Sequence, residues 1–202
     1  MNVLIAYYST FGNVYSMARE VAAGVAEIDG AEPVLRRVPE LMPESVIAGD
    51  DNMQKGRDLQ ADVPEVTLDD FRAAGAYAFG TPTRFGNVSA QVKNQIDQLS
   101  SLWMEGAFED KPAGVFVSTG SLHGGQETTA HTLMAPLLHL GMLPVGVPYS
   151  TQELFTTRGG GSPYGPGHVS GGGNDRPVDE QEKAICRTLG RRLGRLGVRL
   201  QG

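Results

Sequence analysis

The chain opens with a short apolar run that breaks directly into a turn of hydroxyl residues and then into a helical pattern. Asn2 to Tyr8 (NVLIAYY) is β-favouring and uncharged, as a buried strand requires. Ser9-Thr10-Phe11-Gly12-Asn13 follows. Val14, Met17, Ala18, Val21, Ala22, Val25 and Ile28 then recur at spacings of three and four and mark one face of a helix. A fully apolar strand handing over to an amphipathic helix is the unit of an α/β protein, whose parallel sheet is covered on both faces.

The same alternation continues along the chain. Glu32 to Val38 reads as a second strand, ended by Pro39. Residues 39–66 are polar and acidic, carry Pro39, Pro43 and Pro64 and show no clear period, so a long loop is expected. Thr67 to Ala74 suggests a short helix with Leu68 and Phe71 inward, and Ala76 to Gly80 a third strand. Val88, Val92, Ile96 and Leu99 mark another helix, and Gly114 to Val117 lies in a fourth strand. Glu127 to Leu140 is helical, with Pro136 expected to kink it or start a new turn. Met142 to Val147 is a fifth strand. Residues 158–175 hold eight glycines in 18 positions, which by propensity is a flexible loop. Asp179 with Glu182 resembles a capping box, and Ile185, Leu189, Leu193 and Leu196 give the last helix its apolar face. The expectation is one α/β domain over 1–202 with long loops at about 39–66 and 148–176.

A parallel sheet binds its ligand at the C-terminal ends of its strands, near the point where strand order reverses. Three loops rich in Ser, Thr and Gly leave such ends, 9–13, 81–87 and 118–125, and should converge on one rim. In the first loop, free N–H groups at the helix start favour an anion. Ser9, Thr10 and Asn13 add side-chain donors, and Gly12 lets the backbone close around an oxygen-rich ligand. The loop has no lysine, and it matches neither the nucleoside-triphosphate loop nor the dinucleotide fingerprint. A monophosphate held by hydroxyls and amides alone points to FMN. Taken by itself the turn reads as an ordinary capped βα turn; the convergence of three loops is the stronger signal.

Seventeen basic against 23 acidic residues give a net charge of −6, which argues against a nucleic-acid surface. Arg187, Arg191, Arg192, Arg195 and Arg199 come nearest to a basic patch, and near a helix C-terminus they complement its dipole. No stretch approaches the ~18 apolar residues of a membrane span, and no signal-peptide pattern is expected at the N-terminus. The lone Cys186 excludes an intramolecular disulfide, fits a reducing cytoplasm and reads as a packed thiol. His123, His131, His139 and His168 have no Cys/His/acid company at ligand spacing, so no metal is expected.

At Thr81 to Asn87 (TPTRFGN) the chain resembles the WrbA family of flavodoxin-like NAD(P)H:quinone oxidoreductases. The resemblance extends through Gly120 to Glu127 (GSLHGGQE), Gln152-Glu153-Leu154-Phe155 and Gly161-Ser162-Pro163-Tyr164-Gly165, in the family's order and spacing. It implies a flavodoxin-like three-layer sandwich whose five-stranded parallel sheet runs in the order 2-1-3-4-5. It also implies one FMN, reduction of quinones by NADH or NADPH, and a homotetramer. Position by position, Ser9, Thr10, Phe11, Gly12, Asn13 and Val14 would hold the phosphate. Thr83, Arg84 and Phe85 would lie against the isoalloxazine, with Ser118, Thr119, Gly120, Ser121, His123 and Gly124 of the third loop. His139 aligns with a histidine at the flavin, Trp103 with a tryptophan at the substrate pocket and Tyr149 with a pocket tyrosine; Phe11 stands on the nicotinamide side. The family has Tyr-Gly-His where this chain has Phe11-Gly12-Asn13, so a phenol is lost there and the choice between NADH and NADPH stays open. Leu122 and His123 replace glycine found in many relatives.

The flavin would carry the redox chemistry, with the protein binding, orienting and tuning it. Trp103 and Phe85 suit the walls of a flat slot, amides of the Gly120 loop suit the negative edge of the flavin, and His139 suits a donor to a quinone oxygen. One slot for both substrates implies a ping-pong cycle by two-electron transfer. Each assignment has a plainer rival. His139 could be a dipole partner at a helix end, Trp103 an interface or core residue, and Arg84 a solvated charge. The rival for the whole chain is an electron carrier of the flavodoxin kind, with no organic substrate; the 39–66 and 148–176 segments and Trp103 instead offer material to cover a flavin. Those two segments carry little apolar periodicity, so a subunit interface is the expected source of their order.

Overall fold

The computed structural model describes residues 1–201. Its strands are β1 (Asn2–Tyr7), β2 (Glu32–Arg37), β3 (Ala74–Pro82), β4 (Pro112–Thr119), β5 (Leu143–Pro144) and β6 (Gly167–Val169). Its helices are α1 (Asn13–Ala26), α2 (Glu44–Ala48), α3 (Asp51–Asp58), α4 (Leu68–Ala73), α5 (Ala90–Asp97), α6 (Ser100–Met104), α7 (Gln126–His139), α8 (Glu153–Thr156) and α9 (Glu180–Leu200).

Pairing is parallel throughout and the strand order is β2-β1-β3-β4-β5, as expected, with β6 added against β4. Because successive side chains in a strand point to opposite faces, the sheet divides the core in two. Val3, Ile5, Tyr7, Ala76, Ala78 and Phe116 pack under α1 and α9 with Val14, Met17, Val21, Ile185, Leu189 and Leu193. Leu4, Ala6, Tyr77, Phe79, Val115 and Val117 pack on the other face with Phe71, Val92, Ile96, Leu133 and Leu137. Each such fully buried aliphatic or aromatic side chain stabilises by about 1.5–3 kcal/mol. Asp179 and Glu182 form the expected capping box, and Cys186 is fully buried, with burial first among the causes that raise its thiol pKa.

Segment 39–66 is not a plain loop: it contains α2 and α3. Its order comes from contacts that leave no apolar period. The Asp50 carboxylate accepts from the N–H of Asn52 and Met53 and caps α3, and Arg57 pairs with Glu44 at 2.5 Å to join the two helices. Gly56 presses on the first turn, where a Cβ would lie 2.5 Å from the Thr10 carbonyl oxygen. The glycine-rich segment is also ordered, and within a single chain. Gly165 and Gly167 are points of contact, since a Cβ would fall 2.2 Å from the Val115 oxygen at one and 2.0 Å from Gln126 Oε1 at the other. Beside them the wholly buried His168 and Glu182 pair at 2.9 Å, and Arg176 closes on Glu182 at 2.9 Å. This order corrects the propensity reading of the segment as a flexible loop.

Three smaller differences have local causes. β5 shrinks to two residues: Leu143 and Val145 donate their N–H to the Lys111 and Ala113 oxygens (2.9 and 2.7 Å), and the chain beyond then turns to Pro163 (Val147 N–H to Pro163 O, 2.9 Å) while β6 takes the far end of β4. Leu68 is 42% exposed, directly after the Thr67 cap, while Phe71 goes inward. Of the C-terminal arginines, Arg187 reaches Glu20 (2.6 Å), Arg191 reaches Glu27 (3.0 Å) and Arg192 donates to the Gly146 oxygen (2.6 Å), so these three serve tertiary contacts rather than the helix dipole. Among the described residues no helix is long and apolar enough to cross a membrane.

Candidate cofactor site

At the C-terminal end of β1, Gly12 adopts φ 88°, a left-handed conformation that costs other residues about 1–2 kcal/mol, and hands over to α1 at Asn13. The first N–H groups of α1 therefore face the turn with no helical partner. Ser9 Oγ is buried and has no hydrogen-bond partner among the described residues. An unpartnered buried hydroxyl beside free helix N–H groups is what a phosphate oxygen would satisfy. The turn is held from behind by Gln60, whose side-chain amide donates to the Ser9 and Gly56 carbonyl oxygens at 2.9 and 2.8 Å.

The β3 loop is a two-residue hairpin. Arg84 and Asn87 exchange both backbone hydrogen bonds, and Phe85 and Gly86 both have positive φ, 54° and 75°. Phe85 is the strained member and its ring stands fully in solvent. The Arg84 guanidinium swings back to donate to Thr10 Oγ1 at 2.8 Å. At the β4 end, the Thr83 N–H donates to the Ser118 oxygen (2.8 Å), and Thr119 Oγ1 donates to the Ser121 oxygen (2.9 Å). The three loops do converge. One cleft is bounded by Ser9, Thr10, Phe11, Asn13, Val14, Thr83, Arg84, Ser118, Thr119 and Gly120. Ser121 and His123 are exposed and Gly124 half-buried in the outer turn of the third loop.

Two residues of that cleft were missed in the sequence, Ser170 and Asn174. They arrive from the glycine-rich segment through Ser170, which donates N–H and Oγ to the Thr119 oxygen at 2.8 and 3.1 Å. Composition concealed them, since the same glycines that suggest flexibility permit this packing. Gln126 was missed also; its amide reaches Thr119 Oγ1 at 3.3 Å and seats the start of α7 at the cleft.

Trp103 and His139 are not at this cleft within one chain. The 14-residue helix α7 begins at Gln126 and ends at His139, about 20 Å of rise, and Leu143 then donates its N–H to the Lys111 oxygen beside the start of β4. His139 thus lies toward the opposite, N-terminal end of the strands. There it shares a groove of about 260 Å³ with Trp103, Ile96, Pro136 and Leu140. Tyr149 is in the loop after β5, exposed, with its ring 5.5 Å from that of Phe155.

Behind the turn is a larger cavity of about 600 Å³ between the ends of β1 and β2 and the α2–α3 segment. Ser9 and Thr10 border both this space and the cleft. On its wall the Tyr8 hydroxyl donates to Glu40 Oε2 at 2.7 Å. Burial leads the causes that raise the Tyr8 pKa. Burial also pushes Glu40 upward, but hydrogen bonds from Met42 N–H, Tyr8, Gln91 and Leu41 N–H outweigh it and hold the carboxyl below its ordinary value.

Residues 1–155 match the family model described as NADPH-dependent FMN reductase. Proteins named NAD(P)H dehydrogenase (quinone) from Solidesulfovibrio magneticus and Geobacter metallireducens are 43% and 42% identical, each alignment covering 100% of both chains. The structure of a WrbA-like flavodoxin from Agrobacterium tumefaciens superposes with a TM-score of 0.68 at 22% identity over 98% of each chain. The chain belongs to the NAD(P)H dehydrogenase (quinone) family of flavodoxin-like proteins.

Proposed function

We propose that this protein is an FMN-dependent NAD(P)H:quinone oxidoreductase. One observation carries the assignment: three loops meet at the C-terminal rim of the sheet around a buried Ser9 hydroxyl that has no partner among the described residues. The curated relatives' name, at 42–43% identity over the whole chain, supports the reaction class.

FMN supplies the two-electron chemistry between nicotinamide and quinone, which no side chain here can carry. Ser9 and the amides of the 9–14 turn hold its phosphate at the positive end of α1. Thr83, Arg84, Phe85 and the Ser118–Ser121 loop hold and orient its ring system, with Gly120 amides as donors toward the negative edge. One slot beside Phe85 serves both substrates in turn, giving a ping-pong order.

The protein assembles as a homotetramer in which Trp103 and His139 of one subunit close the cleft of another. The support is their placement: together in one groove, with Trp103 54% and Met104 81% exposed, and with His139 at the end of α7 far from the cleft at its start. In that position His139 donates to a quinone oxygen and Trp103 walls the slot and excludes water.

Anaerobic stopped-flow mixing with NADH, NADPH and then a benzoquinone tests the reading. Purified protein is expected to be yellow, to release FMN and not FAD, to bleach with reduced nicotinamide and to recover colour with quinone. Absence of direct bleaching would instead identify an electron carrier.

A further inference from the structure

Four side chains form a continuous line from the large cavity to the cleft: Glu40, Tyr8, Thr10 and Arg84. Tyr8 OH and Glu40 Oε2 are 2.7 Å apart, Thr10 Oγ1 and Tyr8 OH 3.3 Å, and Arg84 Nη2 and Thr10 Oγ1 2.8 Å. Tyr8 and Thr10 are buried, at 3% and 7% exposure. The ends of the line fix its direction. An ionised carboxylate only accepts, and a guanidinium only donates. Tyr8 has one proton, and Glu40 takes it, so toward Thr10 the phenol oxygen is an acceptor. Thr10 also has one proton, and it goes to Tyr8, so toward Arg84 the Thr10 oxygen is an acceptor. No proton remains on Thr10 for a ligand. Ser9 differs, because its buried hydroxyl has no partner among the described residues.

Glu40 is itself held in place. Its Oε1 accepts from Leu41 N–H (2.8 Å), Met42 N–H (2.9 Å) and the Gln91 amide (2.7 Å). Gln91 stands on α5, which follows the β3 loop that carries Arg84. The β3 loop is therefore tied to the first turn twice, directly through Arg84 and from behind through Gln91 and Glu40.

We propose that Thr10 is a positioning residue for Arg84 rather than a donor to the FMN phosphate, that Glu40 acting through Tyr8 sets this polarity, and that Ser9 is the hydroxyl that donates to the phosphate. The proposal rests on the FMN reading above. It divides the hydroxyls of a single turn: Ser9 serves the phosphate end of the ligand, and Thr10 serves the ring end by way of Arg84.

FMN and riboflavin, which lacks the phosphate, separate the two ends. Dissociation constants of both are measured by flavin fluorescence quenching on the full-length apoprotein, with far-ultraviolet circular dichroism as the check of folding. Ser9→Ala weakens FMN about tenfold and leaves riboflavin unchanged, as expected for one hydrogen bond to a charged group. Thr10→Val weakens both ligands by the same factor, and Thr10→Ser restores both. Thr10→Val adds nothing further in an Arg84→Ala background, because the two residues act as one unit. Tyr8→Phe releases the Thr10 proton, so the preference for FMN over riboflavin rises above the parental value, which a merely structural role would not produce. Loss of FMN affinity in Thr10→Val with riboflavin unchanged would make Thr10 a phosphate donor and overturn the proposal. A Tyr8→Phe preference at or below the parental value overturns the polarity argument. Unchanged FMN binding in Ser9→Ala would remove the phosphate site from this turn, and the proposal with it.

Discussion

Gly56 of α3 lies directly on the backbone of Thr10, so close that a Cβ would sit 2.5 Å from the Thr10 oxygen and 2.7 Å from the Phe11 carbonyl carbon. The segment after β2 is thereby part of the support of the first turn, the proposed phosphate site. Backbone cannot yield as a flexible side chain can, so Gly56→Ala must push α3 away or distort the turn. The expected outcome is a loss of FMN affinity of at least tenfold with little change in helix content, read by flavin fluorescence and circular dichroism. Parental affinity in this variant would show that α3 is not a support.

Gly12 is constrained in a different way. Its φ of 88° disfavours any side chain, and a Cβ there would approach Leu59 Cδ1 to 3.0 Å. Gly12→Ala is expected to cost about 1–2 kcal/mol from the backbone alone. Gly12→Asp adds a carboxylate beside the phosphate site and is expected to bind FMN far more weakly than Gly12→Ala does. Equal affinity of the two variants would place the phosphate elsewhere.

His139 and Trp103 test the shared site. His139→Ala is expected to lower quinone-dependent turnover by roughly 10²–10⁴-fold, the range of general acid catalysis, with a smaller change in FMN affinity. Activity per flavin is also expected to fall on dilution as subunits separate, followed alongside sedimentation. A monomer with full activity per flavin would leave the groove between α6 and α7 without a catalytic part.

Glu182, buried against His168 of β6, makes a pH-dependent contribution to stability. Burial raises its carboxyl, but bonds from His168, Arg176 and the Asp179 N–H outweigh this and hold it below the ordinary 4.5. A depressed folded pKa means stability that is fully present above the unfolded value and lost as pH falls through the folded one. Glu182→Gln is therefore expected to lower Tm at pH 7 and to differ progressively less from the parent below pH 4.5. A Tm gap that stays constant down to pH 3 would show that the charge on Glu182 contributes nothing. Glu182→Ala leaves Arg176 and His168 without their buried partner, at a cost of about 3–5 kcal/mol.

Much of the sheet and both cores could be read in the sequence, because they follow from local periods. The alternation of Leu4 and Ala6 against Val3 and Ile5, or of Ile185, Leu189 and Leu193 along α9, is a direct record of burial on two faces. The first turn was legible for the same reason: Ser9, Gly12 and Asn13 sit where a strand must end and a helix begin. Segments 39–66 and 158–175 were not legible. Their order depends on Gly56 against Thr10, Gly165 against Val115 and Glu182 against His168, contacts between residues distant in the chain that impose no period on either partner.

By itself the sequence determined the parallel α/β sheet, the rim where three loops meet and the family to which those loops point. Hydrophobic spacing and turn chemistry act over a few residues, and a single chain displays them in full. Only the tertiary structure decided that Ser170 and Asn174 enter the cleft, that Thr10 turns to Arg84, and that His139 lies with Trp103 about 20 Å of helix away from the start of α7. Those outcomes depend on the direction in which each element runs and on which oxygen meets which proton. Such relations exist only once distant segments share the same space.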